Sequence, residues 1–268
     1  MKLLINYANN VFRKSQKLNS KTGLKVGLFD EVISYFPKDI EPDFFERNKK
    51  ILRQKRGNGY WLWKPYFIKK ALDILNFGDF LFYCDSGSYF VRPITPLIDI
   101  CSENGQDLIV FNLDKHIERV WTKRDAFILM DCESPKYSET EQRYASFSLW
   151  KKSKFTMDFI NEFLHFAQDE RIITDLDNQC GYPNYPGFKE NRHDQSIFSL
   201  LTKKYDIDVH RDPSQWGNGL EQYYPNSKYE QIIEHTRRRA PSFRKAMAKI
   251  HSQKIIPADG RDFAELSR

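Results

Sequence analysis

A chain of 268 residues with a formal charge of +6 and 15% aromatic residues is long enough for one large domain, or one and a half, and can bury a sizeable core. That composition excludes an intrinsically disordered chain, and the lack of any run of about 18 apolar residues excludes a helical membrane span. The mild basicity is compatible with an anionic small molecule, a membrane surface or nucleic acid as partner. The four cysteines, Cys84, Cys101, Cys132 and Cys180, form neither a CxxC pair nor a zinc spacing, and they read as free thiols of a reducing compartment. The opening MKLLINYANNVF turns polar too soon for a secretory signal, so the chain is expected to be cytoplasmic, with peripheral membrane contact left open.

In chain order, KLLINYA (Lys2–Ala8) reads as a buried first strand. A polar stretch, Asn9–Thr22, leads to a second strand over Glu31–Phe36. Pro42 opens PDFFERNKKILRQKR, whose early acids and late bases suit a helix dipole. The GNG loop at Gly57–Gly59 precedes a helix with Pro65 in its first turn, running to about Leu75. Phe80–Cys84 is a short apolar strand, TPLIDICSE a helix and Asp107–Leu113 a further strand. Beyond Trp121, RDAFILM reads as helical, Tyr144–Ser153 as a strand and KFTMDFINEFLHFAQ as an amphipathic helix. Asp175–Lys189, rich in Asn, Pro, Gly and Tyr, is a candidate lid or acceptor loop, and HDQSIFSLLTKKY is a helix with its polar end first. This alternation predicts an α/β sandwich with a mostly parallel sheet.

Five groups of residues carry candidate chemistry. In FLFYCDSGSYF an apolar strand ends at Asp85, beside the small residues Ser86 and Gly87. In open α/β sheets ligands bind outside the carboxyl ends of strands, so Asp85 is either a contact for a cation or sugar nucleotide or merely the start of a turn. RGNGYWLWKPY offers Trp61 and Trp63 to stack on a base or sugar and Lys64 to meet a phosphate, or else supplies core packing. In RHDQS, Asp194 and Gln195 open a helix, where the acid is a cap or a general base and Gln195 is a substrate hydrogen-bond partner. Lys123, Arg124 and Asp125 hold a pyrophosphate or a sugar hydroxyl, or form a solvated cluster. Last, His235 is a candidate late metal ligand. The bases beyond it, Arg237–Arg239 and others up to Lys254, neutralise phosphates or face solvent or a membrane.

Taken together, an early strand, RGNGYWLWKPYFIKKAL, GDFLFYCDSGSYF and a late RHDQSIFSLL resemble the small nucleotide-sugar-dependent glycosyltransferases of GT-A fold that act in polysaccharide and viral glycan synthesis. The resemblance spans roughly Lys2 to His210. It implies a GT-A-like, Rossmann-type α/β sandwich with a central mostly parallel sheet flanked by helices. It implies transfer of a hexosyl or pentosyl group from a UDP- or GDP-sugar to a glycan or lipid-linked hydroxyl, with nucleic acid excluded as partner. Residues 1–115 would form the nucleotide-sugar half, 116–235 the acceptor half and 236–268 a basic tail of the single domain. The donor would meet Tyr7, Trp61, Lys64, Asp85, Ser86, Gly87, Lys123, Arg124 and Asp125, with Asp194 and Gln195 as the catalytic pair. The family's Asp-any-Asp motif is here Asp85-Ser86-Gly87, so its second acid is missing. Either Asp85 shares a Mn2+ or Mg2+ ion with His235, or the ion is weak or dispensable. The rival function is a protein that binds a nucleotide or glycan without chemistry. A nucleic-acid binder is a third, less favoured because bases and aromatics do not interleave on one face.

Overall fold

The computed structural model describes residues 1–236 and 243–252. Arg237–Arg239 and the end of the basic tail lie outside these residues.

Among the described residues nine strands are formed: β1 (Lys2–Tyr7), β2 (Glu31–Tyr35), β3 (Phe80–Cys84), β4 (Ser88–Phe90), β5 (Leu108–Ile117), β6 (Glu141–Arg143), β7 (Phe147–Lys151), β8 (Val209–His210) and β9 (Ile233–His235). The six longest helices are α1 (Arg13–Thr22), α2 (Trp63–Ile74), α3 (Thr95–Asn104), α4 (Lys154–Ala167), α5 (Asp194–Lys204) and α6 (Phe243–Ser252). The central sheet runs β2-β1-β3-β7-β5-β6, with β8 beside β5, while β4 and β9 make a separate two-stranded ribbon. Strands β1, β2, β3, β5 and β8 point one way; β7 and β6 run against them. The sheet is thus mostly parallel in direction, with helices on both faces.

Alternate residues of the central strands serve two cores, as a period of two demands. Leu3, Ile5, Leu81, Tyr83, Val110 and Trp150 pack on α2, α4 and α5. Leu4, Phe82, Ile109, Phe111 and Leu149 pack on α1, α3, α6 and the β4–β9 ribbon. Strands buried on both faces read as continuous apolar runs, which is why β1, β3 and β5 stand out in the sequence.

Two segments depart from expectation. The polar stretch Asn9–Thr22 contains α1, whose buried face is itself polar. Asn19 Nδ2 donates to the Ser88 carbonyl at 2.9 Å, Asn6 Nδ2 donates to Asn19 Oδ1 at 2.8 Å, and Gln16 Nε2 donates to the Tyr35 carbonyl at 2.9 Å. Hydrogen bonds replace the apolar stripe that would have marked a helix. The segment from Pro42 is two short helices, Pro42–Arg47 and Lys49–Leu52, broken at Asn48 (φ −112°, ψ 18°), whose side chain donates to the Phe44 carbonyl at 3.0 Å.

Candidate functional site

A cleft of about 580 Å³ opens where β1 and β3 end. Its lining includes Tyr7, Asn9, Lys55, Asn58, Trp61, Trp63, Asp85, Ser86, Gly87, His116, Arg192, Gln195 and His235.

The end of β3 forms the floor. The Asp85 amide donates to the Ser146 carbonyl at 2.7 Å, and the Ser88 amide closes the turn on the Asp85 carbonyl at 3.0 Å. Ser86 Oγ donates to the Tyr7 carbonyl at 2.6 Å and ties the ends of β3 and β1 together. The Asp85 side chain is 30% exposed. The Tyr83 hydroxyl donates to its Oδ1, and the Lys64 ammonium stands 3.7 Å from the same oxygen. Both of these partners sit on Oδ1, and Asp85 lines the cleft.

One wall is a left-handed turn. Gly57, Asn58, Gly59, Tyr60 and Trp61 all have positive φ, from 50° to 96°. Such a conformation costs L-residues roughly 1 kcal/mol or more apiece, so neighbouring contacts must enforce it. At Gly59 a Cβ would lie 2.8 Å from Leu52 Cα, so the chain approach itself requires glycine. The Gly59 amide donates to the Gln54 carbonyl at 2.9 Å, Trp63 Nε1 donates to the Gly57 carbonyl at 2.9 Å, and the Asn58 side chain bonds the Tyr7 hydroxyl. Trp63 belongs to the core and stacks on Tyr7 at 3.8 Å between centroids, 18° from parallel. Trp61 is less buried and stacks on His193 at 5.3 Å. One tryptophan is thus core and the other packs at its edge, while both also edge the cleft.

Beneath the floor lies a shared-charge array. Lys64 Nζ is buried, 2.5 Å from Asp194 Oδ2 and 3.7 Å from Asp85 Oδ1, and donates to the Ala145 carbonyl at 2.9 Å. One ammonium serves two carboxylates. Burial pushes the Asp194 carboxyl up to about 6, against the pull of Lys64 and aided by repulsion from Asp85. Lys64 is raised: burial opposes its charge, but attraction from Asp194 and then Asp85 outweighs that loss. Asp194 is the first residue of α5, one place past the cap residue His193, and its carboxylate turns inward to Lys64. It is 4% exposed and lies below the cleft, whereas its neighbour Gln195 lines it. Lys64 too is placed under the floor, held by carboxylates, and does not reach the lining.

Lys123, Arg124 and Asp125 are not brought to the cleft. They anchor the Asp175–Lys189 loop instead. Asp125 accepts from the amides of Gln179 at 2.6 Å and Cys180 at 3.1 Å, and Lys123 Nζ donates to the Leu176 carbonyl at 2.5 Å. Arg124 pairs with Glu133 and covers the Tyr185 ring at 4.1 Å. Their mixed charge serves loop carbonyls and amides, a use that an ion-rich tripeptide does not distinguish from phosphate binding. Asn9, Lys55, Asn58 and His116 line the cleft without having been singled out. Of these only Asn58 carried a signal, as the middle residue of GNG.

His235, at the end of β9, has Nδ1 2.7 Å from Ser88 Oγ, which orients its ring. Among the described residues no group of three or more His, Cys, Asp and Glu gathers as a metal site. Asp85 and His235 edge the same cleft, and a carboxylate with an imidazole suits a Mn2+-type cation whose other positions are taken by substrate phosphate and water. On that donor chemistry the pair fits a cation carried in with a diphosphate.

No family model matches the chain, and no curated protein matches it significantly. Among solved structures, the apo form of the bifunctional glycosyltransferase WbbM is similar at 10% identity with a TM-score of 0.50, over 98% of this chain and 50% of that one. Mouse xyloside xylosyltransferase 1 in its apo form aligns at 11% identity and a TM-score of 0.49, over 90% of this chain and 99% of that one. The galactosyltransferase LgtC with donor and acceptor sugar analogs aligns at 12% identity and a TM-score of 0.49, over 97% and 98%. The mixed sheet with its helices on both faces, and the likeness to WbbM across nearly the whole chain, show that this protein has the GT-A glycosyltransferase fold.

Proposed function

We propose that this chain transfers a glycosyl group, hexosyl or pentosyl, from a UDP- or GDP-sugar to a hydroxyl of a glycan or lipid-linked acceptor. The observation that carries the proposal is Asp85. On a GT-A fold, a partly exposed carboxylate follows the central strand, lines an aromatic-walled cleft, and is held from below by a buried ammonium. Ser86 and Gly87 let the bulky donor approach the backbone, and Tyr7, Trp61 and Trp63 offer ring faces to it. Gln195 meets the sugar from the α5 side. Asp194 acts through Lys64, fixing the ammonium that orients Asp85. Residues 1–115 supply most of the donor side, 116–235 the acceptor side, and the basic tail contacts an anionic surface such as a membrane. The two halves share the single domain.

Asp85 and His235 would hold a Mn2+ or Mg2+ ion, which when bound neutralises the diphosphate leaving group. A binding protein without chemistry shares the cleft but not turnover. The test is a panel of UDP- and GDP-sugars with Mn2+, following thermal shift and release of nucleoside diphosphate. Stabilisation grows as ln(1 + [L]/Kd), so one donor should raise Tm and be turned over. A shift with no release of diphosphate would favour the binding protein, and a shift with oligonucleotides alone would defeat both.

A further inference from the structure

Behind Gln195 lies a buried polar chain that the cleft does not reach. Glu118 is fully buried at the start of a short helix after β5, and its carboxylate is an acceptor at both oxygens. Lys203 Nζ donates to Oε2 at 2.7 Å, and the Ser199 hydroxyl donates to the same oxygen. Thr122 Oγ1 donates to Oε1 at 2.5 Å, and Gln142 Nε2 donates to Oε1 at 2.8 Å. Lys203 and Ser199 both lie on α5, the helix that carries Gln195, so the carboxylate is clamped to the catalytic helix itself.

A carboxylate has no proton to give, so the side of Gln142 that faces Glu118 has to be its NH2. The opposite orientation would press two acceptors together in a fully buried place and leave the carboxylate short of a donor. Once the NH2 of Gln142 is committed to Glu118, its Oε1 points the other way. There it accepts from Gln195 Nε2 at 2.9 Å. One N–H of Gln195 is thereby committed to Gln142, which fixes the nitrogen on the protein side and turns the carbonyl oxygen toward the cleft that Gln195 lines. An unrestrained glutamine can turn either end of its amide to a ligand; this one has its oxygen end fixed.

We infer that Glu118 and Gln142 are positioning residues that fix the Gln195 amide with its oxygen toward the cleft, so that the group of the bound molecule that meets this oxygen is a hydrogen-bond donor, such as a sugar hydroxyl. The identity of the ligand rests on the glycosyltransferase proposal, but the orientation of the amide does not. Gln142 is buried and touches no ligand; it acts only through Gln195.

The experiment reads the Gln195 side-chain NH2 directly, in the full-length protein, by NMR. Its resonances are assigned by their loss in Gln195→Leu. In the wild-type protein its protons exchange slowly with water. In Gln142→Met they exchange at least about tenfold faster. In the exchanged pair Glu118→Gln with Gln142→Glu they are slow again, because the new carboxylate accepts from both neighbours. Equal exchange rates in wild type and Gln142→Met would overturn the inference. If Gln142→Met does not fold, a neutron structure of the wild type decides: a deuteron on the Gln195 nitrogen directed at Gln142 Oε1 supports it, and a Gln195 amide flipped so that its oxygen faces Gln142 overturns it. With a UDP- or GDP-sugar that the panel shows to be turned over, Gln142→Met lowers kcat on the order of tenfold and the exchanged pair restores it. An unchanged kcat overturns the functional part. If no sugar nucleotide is turned over, the glycosyltransferase proposal fails while the amide orientation is still decided by exchange.

Discussion

Replacing Lys64 with Met keeps an unbranched stem but removes the ammonium that lies between Asp85 and Asp194 and stands 5.2 Å from the Tyr83 ring centre. In the wild-type protein the Asp194 carboxyl sits at about 6 against an ordinary 3.8. Its folded value is raised, so its contribution to stability is fully present below the unfolded value and is lost as pH rises through the folded one. At roughly 1.4 kcal/mol per unit, this group costs the wild type about 3 kcal/mol by pH 7, and the loss levels off above pH 6. Without Lys64 the carboxyl loses the cation that lowers it, and its folded value climbs further. The loss then continues instead of levelling off. The extra penalty for Lys64→Met from Asp194 therefore grows with pH between 6 and 8, on the order of 1 kcal/mol per pH unit. A further pH-independent term of about 1–3 kcal/mol comes from the Ala145 carbonyl that loses its donor. Urea denaturation of both proteins at these three pH values measures the difference. A penalty that does not change between pH 6 and pH 8 would show that Lys64 is not the counter-charge of Asp194, and the shared-charge array would have to be abandoned.

Other perturbations follow from the same geometry. Asp194→Asn keeps the shape and removes one charge from beneath the floor, so turnover should fall about 10–100-fold while stability loses its dependence on pH between 4 and 6; steady-state rates and urea curves check both parts. Asp85→Asn should abolish transfer with the fold nearly intact, and titration of UDP with Mn2+ should show at least about tenfold weaker ion-dependent binding; unchanged ion dependence would remove Asp85 from the cation. Gly59→Ala places a Cβ 2.8 Å from Leu52 Cα at a φ of +96°, and should cost about 1–3 kcal/mol in thermal or urea unfolding. An equal loss of donor affinity is expected with it, because Trp61 and Trp63 hang on the same turn.

Much of this architecture was legible in the chain because double-sided burial leaves apolar runs. β1, β3 and β5, and helices α2, α3, α4 and α5, all follow the expected order, and Asp85 stands at the end of a strand as FLFYCDSGSYF suggests. What was hidden depends on partners distant in sequence. α1 shows no apolar stripe because it binds β1 and β4 through Asn19 and β2 through Gln16. Lys64 looked like a phosphate ligand at a helix start, but its neighbours Asp85 and Asp194 lie 21 and 130 residues away, and pairing over such separations leaves no local pattern. Lys123, Arg124 and Asp125 carry the charge of a ligand site and spend it on a loop. His116 and Asn9 are isolated polar residues that only the convergence of strand ends brings to one cleft.

The most direct measurement of the central claim is a crystal structure of the protein with UDP or GDP and Mn2+. The proposal predicts the diphosphate in the cleft at the end of β3, its cation held by Asp85 Oδ2 and His235, and the base against the Tyr7, Trp61 and Trp63 wall. A diphosphate bound elsewhere, such as the groove lined by Arg47, Lys50 and Arg171, with the Asp85 cleft empty, would contradict it.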